Sequence, residues 1–199
     1  MRMRTRMARA DRRDQLLETA EQVFTGLGYG PASMDDVAQA AGVTKPVLYD
    51  HFGSKDGLLA AVIERAGARM LDATTGLIGG LDPETALRQG LTAYFRYVDD
   101  HAGAWTLLVR EVAPGTPAAE TVDRIRQVQV DIIAGLIGAQ LPLPDPVRAL
   151  TYAHVVSGAA ERLATVRLDD PRTSPDEAAA LLMDVLWTGF DRLMNKEQP

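Results

Sequence analysis

Apolar residues spaced three and four apart run through almost the whole chain, and no stretch sustains an alternation of period two. Leu16, Ala20, Val23, Phe24 and Leu27 set the pattern, which puts them on one stripe of a helix turning every ~3.6 residues. Leu87, Leu91, Tyr94, Phe95 and Val98 repeat it. Glycine and proline cut the pattern into pieces. "GLGYGPAS" ends the first helix, with Gly26 and Gly28 as C-terminal stops and Pro31 blocking continuation. Gly42, Gly79-Gly80, "APGTP", "LPLPDP" and "DDPRTSP" supply the other breaks. The breaks predict an all-α chain of about nine helices. They start near Asp11, Ser33, Lys45, Ser54, Asp82-Pro83, Trp105, Thr116 or Ala118, Pro146 and Ser174.

The two shortest pieces carry the strongest constraint. Ser33 can cap a helix, with Asp36 at the capping-box position, and Met34, Val37, Ala38 and Ala41 form its apolar face. Gly42 permits the positive φ of a sharp turn, and small Ala38 lets a second helix cross closely. With Thr44 as N-cap, Pro46 falls in the first turn of that second helix, where its missing N–H costs nothing. This is the layout of a helix-turn-helix. The start of the second helix presents bare N–H groups and the positive end of a dipole, which suit anions. Thr44, Lys45, Val47, Tyr49 and His51 are placed to meet base edges and phosphates, while Leu48 and Phe52 turn inward. Asp50 is discordant there, and the reading that places it off the interface is favoured over an acceptor for a cytosine amine.

Net charge agrees with an anionic partner at one end only. The chain carries −6, yet residues 1–60 are neutral and residues 61–199 supply the whole excess. Residues 1–13 hold six arginines against one aspartate. Arg12 and Arg13, at the start of the first helix, suit phosphate, and the arginines before them suit a narrow minor groove. A solvated tail is the alternative for that run.

The stretch "GYGPASMDDVAQAAGVTKPVLYDHFGSKDGLL" resembles the DNA-binding domain of the tetracycline-repressor (TetR) family of bacterial transcription regulators. The likeness runs from about Gln15 to Leu59. It rests on Gly28-Tyr29, Ser33, Ala41-Gly42-Val43, Thr44-Lys45-Pro46, Leu48-Tyr49, His51-Phe52 and Ser54-Lys55-Asp56. It implies a nine-helix protomer in which helices 1–3 bind DNA, helices 4–9 form a regulatory body, and helices 8 and 9 make a homodimer. Residues 1–53 would then be the arm and DNA-binding domain, and 54–199 the regulatory domain. Carried over by position, Ser33, Thr44, Lys45, Tyr49 and His51 would contact double-stranded operator DNA, and Lys55 would hold a phosphate. The expected activity is repression relieved by a small apolar or amphipathic ligand. Each residue also has a plainer role: Ser33 as a cap, Tyr49 as packing beside Phe52, Lys55 as a solvated charge.

A regulatory body needs an apolar cavity with a few polar groups. Tyr94, Tyr97, Trp105, Arg110, His154 and Glu161 are the candidates, with Glu111 beside Arg110. His154 and Glu161, seven apart, share a helix face, although a histidine on an apolar helix is commonly a core or interface residue. For the dimer, Ala153, Ser157, Gly158, Ala160 and Ala164 allow close approach, and Leu182, Val185, Leu186, Gly189 and Leu193 supply apolar surface. The same stripes could equally be intramolecular core.

No enzyme is expected. The three histidines, 51, 101 and 154, lack metal-ligand spacing, and "GLGYG" follows a helix with no strand before it. Nothing calls for a cofactor or a metal. No uncharged run is longer than the 13 residues of Ile132–Pro144, too short to span a bilayer, and the arginine-rich start has no apolar stretch after it. The expected location is cytoplasmic. The competing reading is an all-α ligand-binding or adaptor protein whose helix-turn-helix no longer holds DNA, kept open by Asp50 and the neutral first domain.

Overall fold

The computed structural model describes residues 9–76, 79–139 and 145–195, with backbone alone at 9–10, 146 and 191–195. Among the described residues there are nine helices and no strand: α1 Arg9–Leu27, α2 Met34–Ala41, α3 Lys45–Phe52, α4 Lys55–Thr75, α5 Pro83–Asp100, α6 Ala102–Arg110, α7 Pro117–Gly138, α8 Pro146–Asp169 and α9 Pro175–Asn195. None of the described helices is long and apolar enough to cross a membrane. The outer arginines of the N-terminal run (2, 4 and 6), and the side chains of Arg9 and Leu193, lie outside the described residues.

The helix ends follow local chemistry. Gly28 takes φ +82 just after α1, and Gly42 takes φ +63 after α2, a left-handed region that costs glycine nothing. The Gly42 N–H reaches the carbonyls of Ala38 and Gln39. Ser33 and Asp36 form a complete capping box at the start of α2. Asp82 caps α5 by accepting from the Thr85 N–H, with Pro83 in the first turn. Asp145 caps α8 in the same way, accepting from the Val147 N–H.

The chain forms two compact units, one comprising residues up to Gly67 with Gly103–Asp123, the other Ala68–Ala102 with residues from Arg124 onward. In the first unit, α1 packs on α2 and α2 on α3. Leu16, Leu17, Phe24, Val37, Leu48 and Leu58 are all but fully buried. Arg65 on α4 donates to the Asp14 carbonyl of α1 at 2.8 Å. Gly103 at the start of α6 lies so close to Thr25 that a Cβ would sit 2.9 Å from its methyl, which brings α6 into this unit.

In the second unit α5 packs chiefly on α9 and also on α8, around Leu91, Phe95, Val98, Val156 and Met183. Ion pairs tie its helices. Arg167 of α8, buried, makes a two-pronged pair with Asp99 of α5 at 3.0 and 2.9 Å and donates to the Thr173 carbonyl. Arg96 of α5 meets Asp176 of α9 at 2.8 Å. Of the two readings left open for α8 and α9, Ala153, Ala160, Ala164, Leu182 and Leu186 belong to the buried core. Gly158, Gly189 and Val185 face outward and Ser157 is half-buried.

Asp99→Ala leaves the Arg167 guanidinium buried without its carboxylate, so it should cost about 3 kcal/mol in urea denaturation. Asp99→Leu combined with Arg167→Met should cost clearly less, because both charges then leave together.

Candidate nucleic-acid interface

The second helix of the helix-turn-helix, α3, is anchored from beneath by Leu48, which is fully buried. Thr44 sits at its N-cap with extended backbone, φ −89 and ψ 150, and its side chain makes no capping bond. Thr44, Lys45, Pro46, Tyr49 and Asp50 are exposed, and Val47 and His51 are half-buried. The structure thus gathers five sequence-predicted residues, Thr44, Lys45, Val47, Tyr49 and His51, on one two-turn helix and its cap. Phe52 is half-buried rather than core, with the His51 ring 5.8 Å from it and the Arg13 guanidinium 5.4 Å above it.

Several contacts around this helix were invisible in the sequence pattern. Lys45 is already paired: its ammonium lies 2.7 Å from Asp35 of α2, which raises its pKa. Lys55 donates to the carbonyls of Tyr29 and Gly30 in the α1–α2 turn and lies 4.2 Å over the Tyr29 ring. Two of its three N–H donors are therefore engaged. The Tyr29 hydroxyl donates to Asp56, and its ring meets Phe24 edge-on at 5.3 Å. Burial, then the Asp56 bond and charge, push the Tyr29 hydroxyl well above its ordinary pKa, so it stays a donor. Tyr29, Lys55 and Asp56 fasten the start of α4 to the turn before α2.

Ser33 is half-buried and committed to its cap. Its hydroxyl donates to Asp36 at 2.6 Å and accepts from the Asp36 N–H at 3.2 Å, while its own N–H donates to the same carboxylate. The two Ser33 bonds hold the Asp36 carboxyl below the usual range. That stabilisation is present above the ordinary carboxylate pKa and is lost as pH falls through the lowered value.

A second site lies wholly within the second unit. A cavity of about 70 Å³ is bounded by α4, α5, α7 and α8 and lined by Leu71, Leu87, Leu91, Ile133 and Leu136 among apolar residues, with Tyr94, Gln129, Ser157 and Glu161 as its main polar groups. Burial drives the Tyr94 hydroxyl well above its ordinary pKa, and the Glu161 charge adds to this while Arg126 opposes it. Of the predicted ligand residues, Tyr94 and Glu161 line the cavity. Tyr97 lies elsewhere, stacked on His101 at 4.2 Å beside a separate surface depression. Trp105 and Arg110 stand on α6 in the first unit, and Glu111 just beyond it; Trp105 is buried there. His154 is exposed on α8. Among the described residues no cluster of His, Cys, Asp or Glu could hold a metal ion.

Residues 16–62 match the family model "Bacterial regulatory proteins, tetR family", and residues 83–189 match "Tetracyclin repressor-like, C-terminal domain". The HTH-type transcriptional activator FasR of Mycolicibacterium smegmatis is 38% identical over 109 residues, covering 52% of this chain and 48% of FasR. The chain therefore aligns with about half the length of that relative. The HTH-type transcriptional regulator EthR of the same organism is 26% identical over 184 residues, covering 88% of this chain and 84% of EthR. A TetR-like transcriptional regulator of Rhodococcus sp. RHA1, known as a crystal structure, is 32% identical and superposes with a TM-score of 0.73, covering 94% of this chain and 99% of that one.

The Lys45–Asp35 pair makes a direct prediction. Asp35→Asn removes the carboxylate that competes with phosphate for Lys45, so affinity for duplex DNA should rise about threefold whatever the sequence. Filter binding against two unrelated duplexes checks both the gain and its uniformity.

Proposed function

We propose that this chain, which belongs to the tetracycline-repressor family of helix-turn-helix transcription regulators, is a homodimeric repressor released from its operator by a small-molecule ligand. The observation that carries the reading is the exposed face of α3. Thr44, Lys45 and Tyr49 stand open to solvent on a helix whose inner face is locked by Leu48. The N-terminal residues of such a helix meet base edges in the major groove, and flanking groups hold phosphates. Thr44, Lys45, Val47, Tyr49 and His51 make the DNA contacts in this reading, and Ser33, whose hydroxyl is held in its cap, fixes the helix beneath them. Lys55 uses its remaining N–H donor on a phosphate. Residues 1–53 act as the reading domain and 54–199 as the regulatory domain.

The exposed apolar side chains of α8 and α9 support the dimer. Val147, Val155 and Val166 on α8 and Leu181 and Val185 on α9 are open to solvent in the single chain, Val185 at 74%. Apolar surface gathered on two helices favours burial against a symmetry mate. Val185→Glu places a carboxylate in that seam and should convert the dimer to monomer in sedimentation velocity.

The ligand acts on the second site. Small-molecule pockets commonly reach ~300 Å³ or more, so a cavity of about 70 Å³ must widen to admit its ligand. The lining includes Leu71 of α4, the helix that begins with Lys55. Parting the lining helices shifts α4 and changes the separation of the two reading heads, which lowers operator affinity.

A fluorescence-anisotropy titration tests the DNA reading. Affinity for the DNA upstream of the chain's own gene should fall on the order of 10³-fold between roughly 50 and 200 mM salt. Lys55→Ala and Lys45→Ala should weaken binding evenly across sequences, and changes at Thr44 should alter preference among them. Affinity indifferent to salt, or unchanged in all three variants, overturns the assignment.

A further inference from the structure

The cavity of the second unit mixes apolar lining with Thr74, Thr75, Tyr94, Gln129, Ser157 and Glu161, and its charge is matched internally. Among the described lining residues Glu161 is the only charged one. Both of its oxygens accept from Arg126 of α7, at 2.9 Å from Nε and 2.6 Å from Nη2, the two-pronged geometry of a strong pair. Arg126 itself does not line the cavity. Ser157 stands one turn before Glu161 on α8, Gln129 one turn after Arg126 on α7, and Tyr94 of α5 lines the same cavity. From Gln129 to Leu136 the α7 lining turns apolar over about 10 Å, enough for an octyl chain.

We infer that this cavity takes an uncharged amphipathic molecule, an apolar chain with a hydroxyl-type head, and that the Arg126–Glu161 pair is what excludes charged heads. The inference rests on the proposed ligand-release reading and adds the chemical class of the ligand. A carboxylate head would meet Glu161's charge while the arginine fork is already filled. An ammonium head would bring a charge whose natural partner is already neutralised. Burying either without a counter-charge is costly. A hydroxyl both donates and accepts, and so do Ser157, Tyr94 and Gln129. A carboxylate holding two arginine bonds also keeps lone pairs for a hydroxyl donor.

Isothermal titration of the full-length protein with 1-octanol, octanoate and octylamine decides this. Wild type should bind 1-octanol at least tenfold more tightly than the other two. Glu161→Gln removes the carboxylate that holds the Arg126 fork, so octanoate should gain at least tenfold relative to 1-octanol. Arg126→Gln leaves Glu161 unmatched, so octylamine should gain by a similar factor. If one variant fails to fold by circular dichroism, the other and the wild-type order still decide. Wild-type preference for octanoate or octylamine overturns the charge-matching inference and leaves the cavity as an effector site. An unchanged order of the three in the folded variants does the same. No binding of any probe to any of the proteins overturns the effector-site reading together with the inference.

Discussion

The reading head depends on a constraint of length. α2 and α3 are eight residues each, shorter than the ~12–15 at which an isolated helix holds itself in water. Each must therefore be fixed by what surrounds it. Ser33 and Asp36 close the start of α2, and the Gly42 turn satisfies its last carbonyls. The Val43 N–H then bonds back to the Ala38 carbonyl, so the turn is tied on both sides before α3 begins. Leu48 and Val37, both fully buried, join the two short helices to the core under α1. With those anchors below, the outer face of α3 is free to carry polar residues that contribute little to stability. Thr44, Lys45 and Tyr49, proposed to touch DNA, are exposed and among the residues folding needs least, whereas Lys55 also fastens α4 to the turn before α2.

The acidic total has a structural answer as well. In the second unit Asp99, Glu161, Asp176 and Glu84 each hold an arginine. Asp99, Glu161 and Asp176 there join one helix to another, and Glu84 pairs with Arg88 within α5. Near the reading face the acids do different work: Asp36 caps, Asp56 holds Tyr29, and Asp35 occupies Lys45. Asp50, the one acid of α3, is exposed beside Tyr49.

The sequence was most informative where cause and effect are close along the chain. Pro46 in the first turn, the Ser33–Asp36 box, the Gly42 turn and the Asp82-Pro83 start all act within four residues, and all were readable as patterns. The ion pairs were not, because Asp99 and Arg167, or Arg126 and Glu161, are far apart in sequence and follow no periodicity. The same limit governs the cavity. Tyr94 lines it, but Tyr97, three residues later, faces a different surface. Trp105 and Arg110 sit in an apolar run that packs with the first unit, because Gly103 abuts Thr25. An apolar stripe shows that a helix is buried without showing against which partner. Small residues on α8 raise the same ambiguity: Ala153, Ala160 and Ala164 are small because α8 is packed inside the protomer.

The proposed function requires that two copies of this head read one operator. DNase footprinting on the DNA upstream of the chain's own gene tests it most directly. Two inverted half-sites should be protected, with centres about one helical turn, or a whole number of turns, apart. Absence of protection at any concentration that saturates non-specific DNA, or protection of a single site without twofold symmetry, would contradict it.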